Sequence, residues 1–394
     1  MSKVLFLNGN VHGHINPTIP LVKELVKNGE EVSYFSTAGF KEKIEAAGAS
    51  FVDYGSELSR FFDGFRPRGS HPFYTLVEFM LGMDRVVIPL VIEKTAGMKF
   101  DYVIHDAMFG GGNVVAKKLG LPAVCTCTSF AMNKLPMPAH MFEPGFHPQL
   151  DMLYKDIEKT SEEWEIKDFD IMDIFFKRES LNIVFTSRMF QPEERSFDDS
   201  FKFVGPSIAD REEGISFPFD ELQEHKVVYI SMGTINNNCL EFYEKCIEAL
   251  EDPDFKVVMS IGKKVDMASM REIPDNFIVK DYVPQIEVLK KADVFISHGG
   301  LNSISEALYY GVPVVAVPQV NDQHMVTRRL VELGAGIVLK MDEITPQLLK
   351  ESVDKVLSDN GYKTESERIG ASFKEAGGYR TAAHHVLEFK NKLR

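Results

Sequence analysis

The sequence predicts an α/β protein built from two Rossmann-like domains facing each other across a cleft, with a C-terminal helix able to cross back. Three observations carry this. Short apolar, β-branched and aromatic runs alternate with amphipathic segments in both halves of the chain. The runs are nearly continuous in apolar residues, the pattern of parallel strands covered on both faces. The 394 residues also exceed the length at which a single core stops growing, about 250–300 residues, so two or three domains are expected.

Taken in order, strands are expected at Val4–Leu7, Val32–Ser36, Ser50–Asp53, Tyr102–His105, Ala123–Thr126, Ile183–Thr186 and Phe201–Val204. Between the first two, Pro17–Gly29 has apolar residues at helical spacing, and Gly29 stops it. The second half repeats the plan with strands at Val227–Ser231, Lys256–Ser260, Phe277–Lys280, Val294–Ser297, Val314–Val317 and Gly336–Leu339. Helices at Leu240–Leu250, Asn302–Tyr310 and Gln323–Leu333 lie between them. Gly205-Pro206 ends the first half. The charged, turn-rich stretch that follows, interrupted by Pro218, reads as a linker. The expected division is 1–205, a linker at 206–226, 227–365, and a helical segment at 366–394 that can dock on either domain.

Composition narrows the function. Hydrophobic residues make 44% and charged residues 26%, as in soluble globular proteins. The net charge of −14 would repel nucleic acid or an acidic membrane, so neither is an expected partner. Four cysteines are too few for a disulfide framework, and Cys125 and Cys127, spaced C-x-C in TCTCTSF, lack the spacing of a redox or zinc motif. They read as reduced, buried thiols. The start, MSKVLFLNGN, has no signal-peptide core, and no run reaches the roughly 18 apolar residues of a membrane span. A cytoplasmic monomer or weak oligomer is expected.

The strongest signal is YVPQIEVLKKADVFISHGGLNSISEALYYGVPVVAVPQVNDQ. A strand runs into His298-Gly299-Gly300, and a helix starts near Asn302. Its N-terminal amides and positive dipole end suit a phosphate, glycines let the backbone come close, and His298 and Ser303 add donors. Asn302, Ser303 and Glu306 share one helical face, and a carboxylate just past a phosphate site can grip a ribose. This arrangement is a nucleotide-diphosphate site.

The run resembles the nucleotide-sugar box of UDP-glycosyltransferases of the GT-B fold, most closely the bacterial macrolide and flavonoid glucosyltransferases of Bacillus type. The likeness spans nearly the whole chain, with HGG-x-NS-x-x-E, GVP and DQ in order. It implies that His298, Gly300, Asn302 and Ser303 hold the diphosphate and Glu306 the ribose. Tyr282 would stand where plant relatives stack a Trp on uracil, Val283 would offer its backbone to the base, and Gln285 would sit near the ribose. Asp322 and Gln323 would bind sugar hydroxyls. The loop Ser231 to Thr234, including Gly233, would close over the phosphates.

In the first half, the turn after the first strand reads NGNVHGHINP, which is not G-x-G-x-x-G, so a nicotinamide oxidoreductase is disfavoured. Two histidines at a strand-to-helix turn suggest acid–base chemistry instead. His12 reads as a packing residue. The resemblance implies that His14 is the general base, oriented by Asp106 at the end of another strand. It also implies no metal and no cofactor, the UDP-sugar being a co-substrate. Asp168-Phe169-Asp170, a D-x-D spelling far from the box, reads as a solvated face. Among the many Phe and Met residues, Phe65, Phe79, Met83, Phe109, Phe130 and Met132 are candidates for a soft apolar acceptor wall. The expected reaction is inverting transfer of a hexose, glucose first, from UDP-sugar to a hydroxyl of a hydrophobic flavonoid, macrolide or other phenol or polyketide. The rivals are a UDP-sugar epimerase of the same fold and a catalytically silent UDP-sugar or small-molecule binding protein.

Overall fold

The computed structural model describes residues 2–134, 137–167, 169–209, 216–234 and 236–393, with Asn321 described by its backbone alone. The chain forms two compact units. The first comprises Met1–Phe185, Glu193–Ser207 and Gly377–Arg394, the second Thr186–Pro192 and Ile208–Ala376.

The first unit holds β1 (Lys3–Leu7), β2 (Glu31–Ser36), β3 (Ser50–Asp53), β4 (Tyr102–Asp106), β5 (Ala123–Cys127), β6 (Leu181–Val184) and β7 (Phe201–Phe203). They form one sheet in the order β3-β2-β1-β4-β5-β6-β7. Among the described residues every strand pairing in this sheet is parallel, with Leu7 beside His105 and Asp106 beside Thr126. Val4, Leu5, Phe6 and Leu7 of β1 are all fully buried. That is why its apolar run is continuous rather than alternating: helices cover both faces. On one face, helix Thr18–Lys27 buries Leu21, Val22 and Leu25, each contributing roughly 1.5–3 kcal/mol. Helix Gly378–Asn391 packs beside it through Ala382, Ala383 and Val386. Helix Pro72–Lys94 buries a longer apolar stripe on the other face.

The second unit holds β8 (Lys226–Ser231), β9 (Phe255–Ser260), β10 (Phe277–Lys280), β11 (Val294–Ser297), β12 (Val314–Ala316) and β13 (Gly336–Val338), in the order β10-β9-β8-β11-β12-β13. This sheet is also parallel. Each sheet has a point where the strand order reverses, between β1 and β4 and between β8 and β11. In open α/β sheets ligands gather outside the strand ends at that point.

Two expectations need correction. The strand placed at Ile183–Thr186 runs Leu181–Val184. Its start is hidden by Asn182, a buried polar residue whose side chain takes the Glu179 N–H and donates to the Glu179 carbonyl. The helical segment at 366–394 is two helices, Asn360–Ala376 in the second unit and Gly378–Asn391 in the first. They are separated because Gly377 and Gly378 both take positive φ, 87° and 63°. Asp170 is exposed, as the sequence reading has it, and it also starts a helix. Asp170 caps helix Ile171–Phe175 by accepting from Met172 and Asp173, and Asp173 accepts the Asp170 N–H in return. Asp168 and part of the linker, 210–215, lie outside the described residues. Among the described residues no helix is long and apolar enough to cross a membrane. All four cysteines are free thiols.

Candidate active site

In the first unit, residues from three strand ends converge beside the reversal point. His14 sits in a single helical turn, His12–Ile15, just after β1. That turn is held from below: buried Asn8 donates to the His14 carbonyl at 3.1 Å and to the Tyr34 hydroxyl at 2.9 Å, and Thr18 donates to the Ile15 carbonyl at 2.8 Å. His12 turns away to pack edge-on against Phe40, with ring centroids 4.8 Å apart. Asp106 ends β4 with its side chain fully buried, and His14 Nδ1 lies 3.0 Å from both of its oxygens. The Met108 N–H donates to the same carboxylate at 2.8 Å. Burial pushes the Asp106 carboxyl up, but the His14 charge and hydrogen bond, the Met108 amide and the more distant Lys177 outweigh it and hold it below the usual range. A carboxylate on Nδ1 keeps the proton there and puts the lone pair on Nε2.

Thr128, just past β5, completes the group. Its hydroxyl lies 2.9 Å from His14 Nδ1 and donates to Asp106 Oδ2 at 3.2 Å. Sequence reasoning missed it. The only signal was a hydroxyl following a strand in TCTCTSF.

In the second unit, Ser231 and Ser297 end adjacent strands in register, and His298 follows β11. The imidazole is wedged between two glycines. A Cβ on Gly233 would come within 2.6 Å of its Cε1, and one on Gly300 within 2.6 Å of its Nε2. Burial pushes His298 below its ordinary value, against the pull of the Asp322 carboxylate and the Ser231 backbone. Helix Leu301–Tyr309 starts after Gly300, which has no side chain to cap it, and its first turn carries no acid. Its positive end is therefore not neutralised from within the helix. Asn302 and Ser303 are half-buried on that first turn.

Glu306, one turn on, is 4% exposed. Gln285 Nε2 donates to its carboxylate at 2.6 Å, while Tyr229 donates to Gln285 Oε1 at 3.0 Å. Thus Gln285 and Glu306, singled out separately by the sequence, form one network. Tyr229, its third member, was hidden inside an apolar strand. Val283 is buried and Tyr282 is half-exposed. Gln323 Oε1 accepts the Gln319 and Val320 N–H groups at 2.7 and 3.2 Å, so it closes the start of helix Asn321–Glu332, and Asp322 is exposed in that first turn. Of the loop after β8, the Ser231 hydroxyl accepts the Gly233 N–H at 3.4 Å and Thr234 is exposed.

The acceptor candidates separate. Met83 and Phe109 are core residues, with Phe79 and Met132 packed against that core. Phe65 meets Phe79 edge-on at 5.1 Å. Phe130 lines a small hollow with Ala107 and Met108, the neighbours of Asp106. Met132 borders both that hollow and a larger cavity of about 510 Å³ lined by Asn113, Phe176 and Lys177.

A carboxylate-held imidazole can take a proton, and an uncapped helix start beside a buried carboxylate–amide network can receive an anion and a polyol. Together they are the equipment of a group-transfer enzyme. Residues 244–376 match the family described as Erythromycin biosynthesis protein CIII-like, C-terminal domain. The chain is 38% identical to the Uncharacterized UDP-glucosyltransferase YojK of Bacillus subtilis (strain 168), over 98% of this chain and 97% of that protein. It is 34% identical to the NDP-glycosyltransferase YjiC of the same organism, over 99% and 97%. The crystal structure of CalG4, the calicheamicin glycosyltransferase, matches with a TM-score of 0.87 at 27% identity, over 99% of this chain and 98% of that one. The chain belongs to the UDP-glycosyltransferases of the GT-B fold and is a glycosyltransferase.

Proposed function

We propose that the protein is an inverting, metal-independent transferase that moves a hexose, glucose first, from a UDP-sugar to a hydroxyl of a hydrophobic small molecule such as a flavonoid, macrolide or other phenol or polyketide. The observation that carries this reading is the contact of His14 Nδ1 with Asp106 beside the reversal point of the first sheet. It leaves the imidazole able to accept the proton of an acceptor hydroxyl and steadies the imidazolium that forms. The oxygen would attack the anomeric carbon from the face opposite UDP. UDP would depart against the start of helix Leu301–Tyr309, with His298, Asn302 and Ser303 as donors. The Gln285–Glu306 network would hold the ribose, Tyr282 and Val283 the base, and Asp322 with the Gln323 amide the sugar hydroxyls. Relatives named as UDP-glucosyltransferase and oleandomycin glycosyltransferase support the donor and the acceptor class.

The test is one assay. Purified protein is given UDP-glucose with a flavonol or a macrolide, in excess chelator, and free UDP and product masses are followed. Acceptor-dependent UDP release with a mass gain of one hexose is expected. Interconversion of the UDP-sugar without acceptor would turn the reading to an epimerase. Tight UDP binding with no turnover on any acceptor would turn it to a silent binder.

A further inference from the structure

Neighbours on a strand point to opposite faces. Asp106 therefore meets His14 and Thr128, while His105 points the other way into a second set of buried charges that the proposed chemistry does not use. His105 is fully buried, with Nε2 at 3.2 Å from the Glu179 carboxylate and Nδ1 at 3.2 Å from the Asp106 carbonyl oxygen. On the same face, Lys177 and Asp84 pair at 3.4 Å with side chains 0% and 1% exposed. Asp84 comes from helix Pro72–Lys94 and lies against Gly111, in the turn that follows β4. A Cβ on Gly111 would stand 3.2 Å from the Asp84 carboxyl carbon. A buried ion pair is a poor stabiliser, since desolvation costs several kcal/mol per ion and apolar replacements often do as well. What such a pair does have is a field that water and salt screen little.

We propose that Lys177 and Asp84 are positioning residues that set, through the thickness of one strand, the pH at which the His14–Asp106 pair takes up a proton. Lys177 keeps the pair unprotonated, and Asp84 limits that pull. The inference rests on His14 being the proton acceptor. The balance at Asp106 fits it: burial raises the carboxyl, and Lys177 is among the groups that bring it down. At Asp84 burial also raises the carboxyl, opposed chiefly by Lys177, then by the Gly111 backbone and His105. Facing the pair are His105 and Glu179, with the Cys125 thiol on β5. Lys117, Arg178, Asp170 and Asp173 line the cavity beside Lys177. All of these stay in place in the variants that follow.

The experiment records the pH profile of kcat/KM, and the NMR titration of the His14 imidazole, in the wild type, Lys177→Met, Asp84→Asn and the double variant. Loss of the cation should move the acid limb and the titration to higher pH, with roughly threefold less kcat/KM at the foot of the limb. Loss of the anion should move both to lower pH, and the double variant should return near the wild type. A merely structural pair would lower activity or stability in both singles without opposite shifts, and that result overturns the proposal. If Lys177→Met does not fold, the double variant compared with Asp84→Asn reads the same cation with no unpaired carboxylate left. The imidazole titration needs no turnover. An active His14→Ala would therefore sink the base assignment alone, and an inactive His14→Ala with an unmoved titration in these variants would sink this inference alone.

Discussion

Each unit places a histidine just beyond a strand at the point where its sheet reverses, and the two are chemically opposite. His14 is partly open and touches a buried carboxylate at 3.0 Å, with a threonine hydroxyl bridging the two. His298 is wedged between two glycines, and burial drives it toward the neutral form. The same side chain at equivalent places in two similar sheets is thus suited to different work. The first can gain a proton because a counter-charge waits for it. The second resists one and can serve as a fixed neutral donor beside a helix start. The fold chooses the location, and the partner chooses the chemistry.

The sharpest way to break this contrast is to remove each ring in turn. His14→Ala should cut kcat by about 10²–10⁴-fold while leaving UDP affinity, read by calorimetry, nearly unchanged. His298→Ala should weaken UDP binding about tenfold. If both variants lose the same parameter by the same amount, the division of labour is wrong. A smaller effect tests the bridge. Thr128→Val should lower kcat about tenfold at unchanged UDP affinity, and Thr128→Ser should recover most of it. A valine variant with full activity would reduce Thr128 to packing.

The smallest effect is in stability. A histidine held below its free value of about 6.5 binds its proton less readily folded than unfolded. Protonation of the unfolded chain therefore erodes stability as pH falls below that value. Removing His298 should remove its share, so the urea midpoint of His298→Gln should fall less than that of the wild type between neutral pH and pH about 5.5. Parallel curves for the two proteins would mean that burial does not depress His298.

How much was legible follows from the range of the forces involved. Strands Phe277–Lys280 and Val294–Ser297 fall where apolar runs place them, because a buried strand writes its burial directly into its sequence. The strand beginning at Leu181 was misplaced because a buried asparagine interrupted that signal with a locally satisfied side chain. At the site, the strand–HGG–helix run could be read as an anion site, since a helix start is a local object. Gln285 and Glu306 could each be named, but not their mutual bond, which Tyr229 extends from within an apolar strand.

The sequence by itself determined two parallel α/β domains, the turn carrying His14 and the helix start after Gly300, because periodicity, glycine placement and strand-to-helix turns act over a few residues. Only the tertiary structure decided which groups those features meet. Asp106 reaches His14 across 92 residues, Thr128 across 114, and Lys177 reaches Asp84 across 93. Parallel strands need long crossovers, so neighbouring strand ends come from distant parts of the chain. Which carboxylate, hydroxyl or ammonium stands beside a given histidine is then settled by strand order and burial, and no local pattern records it.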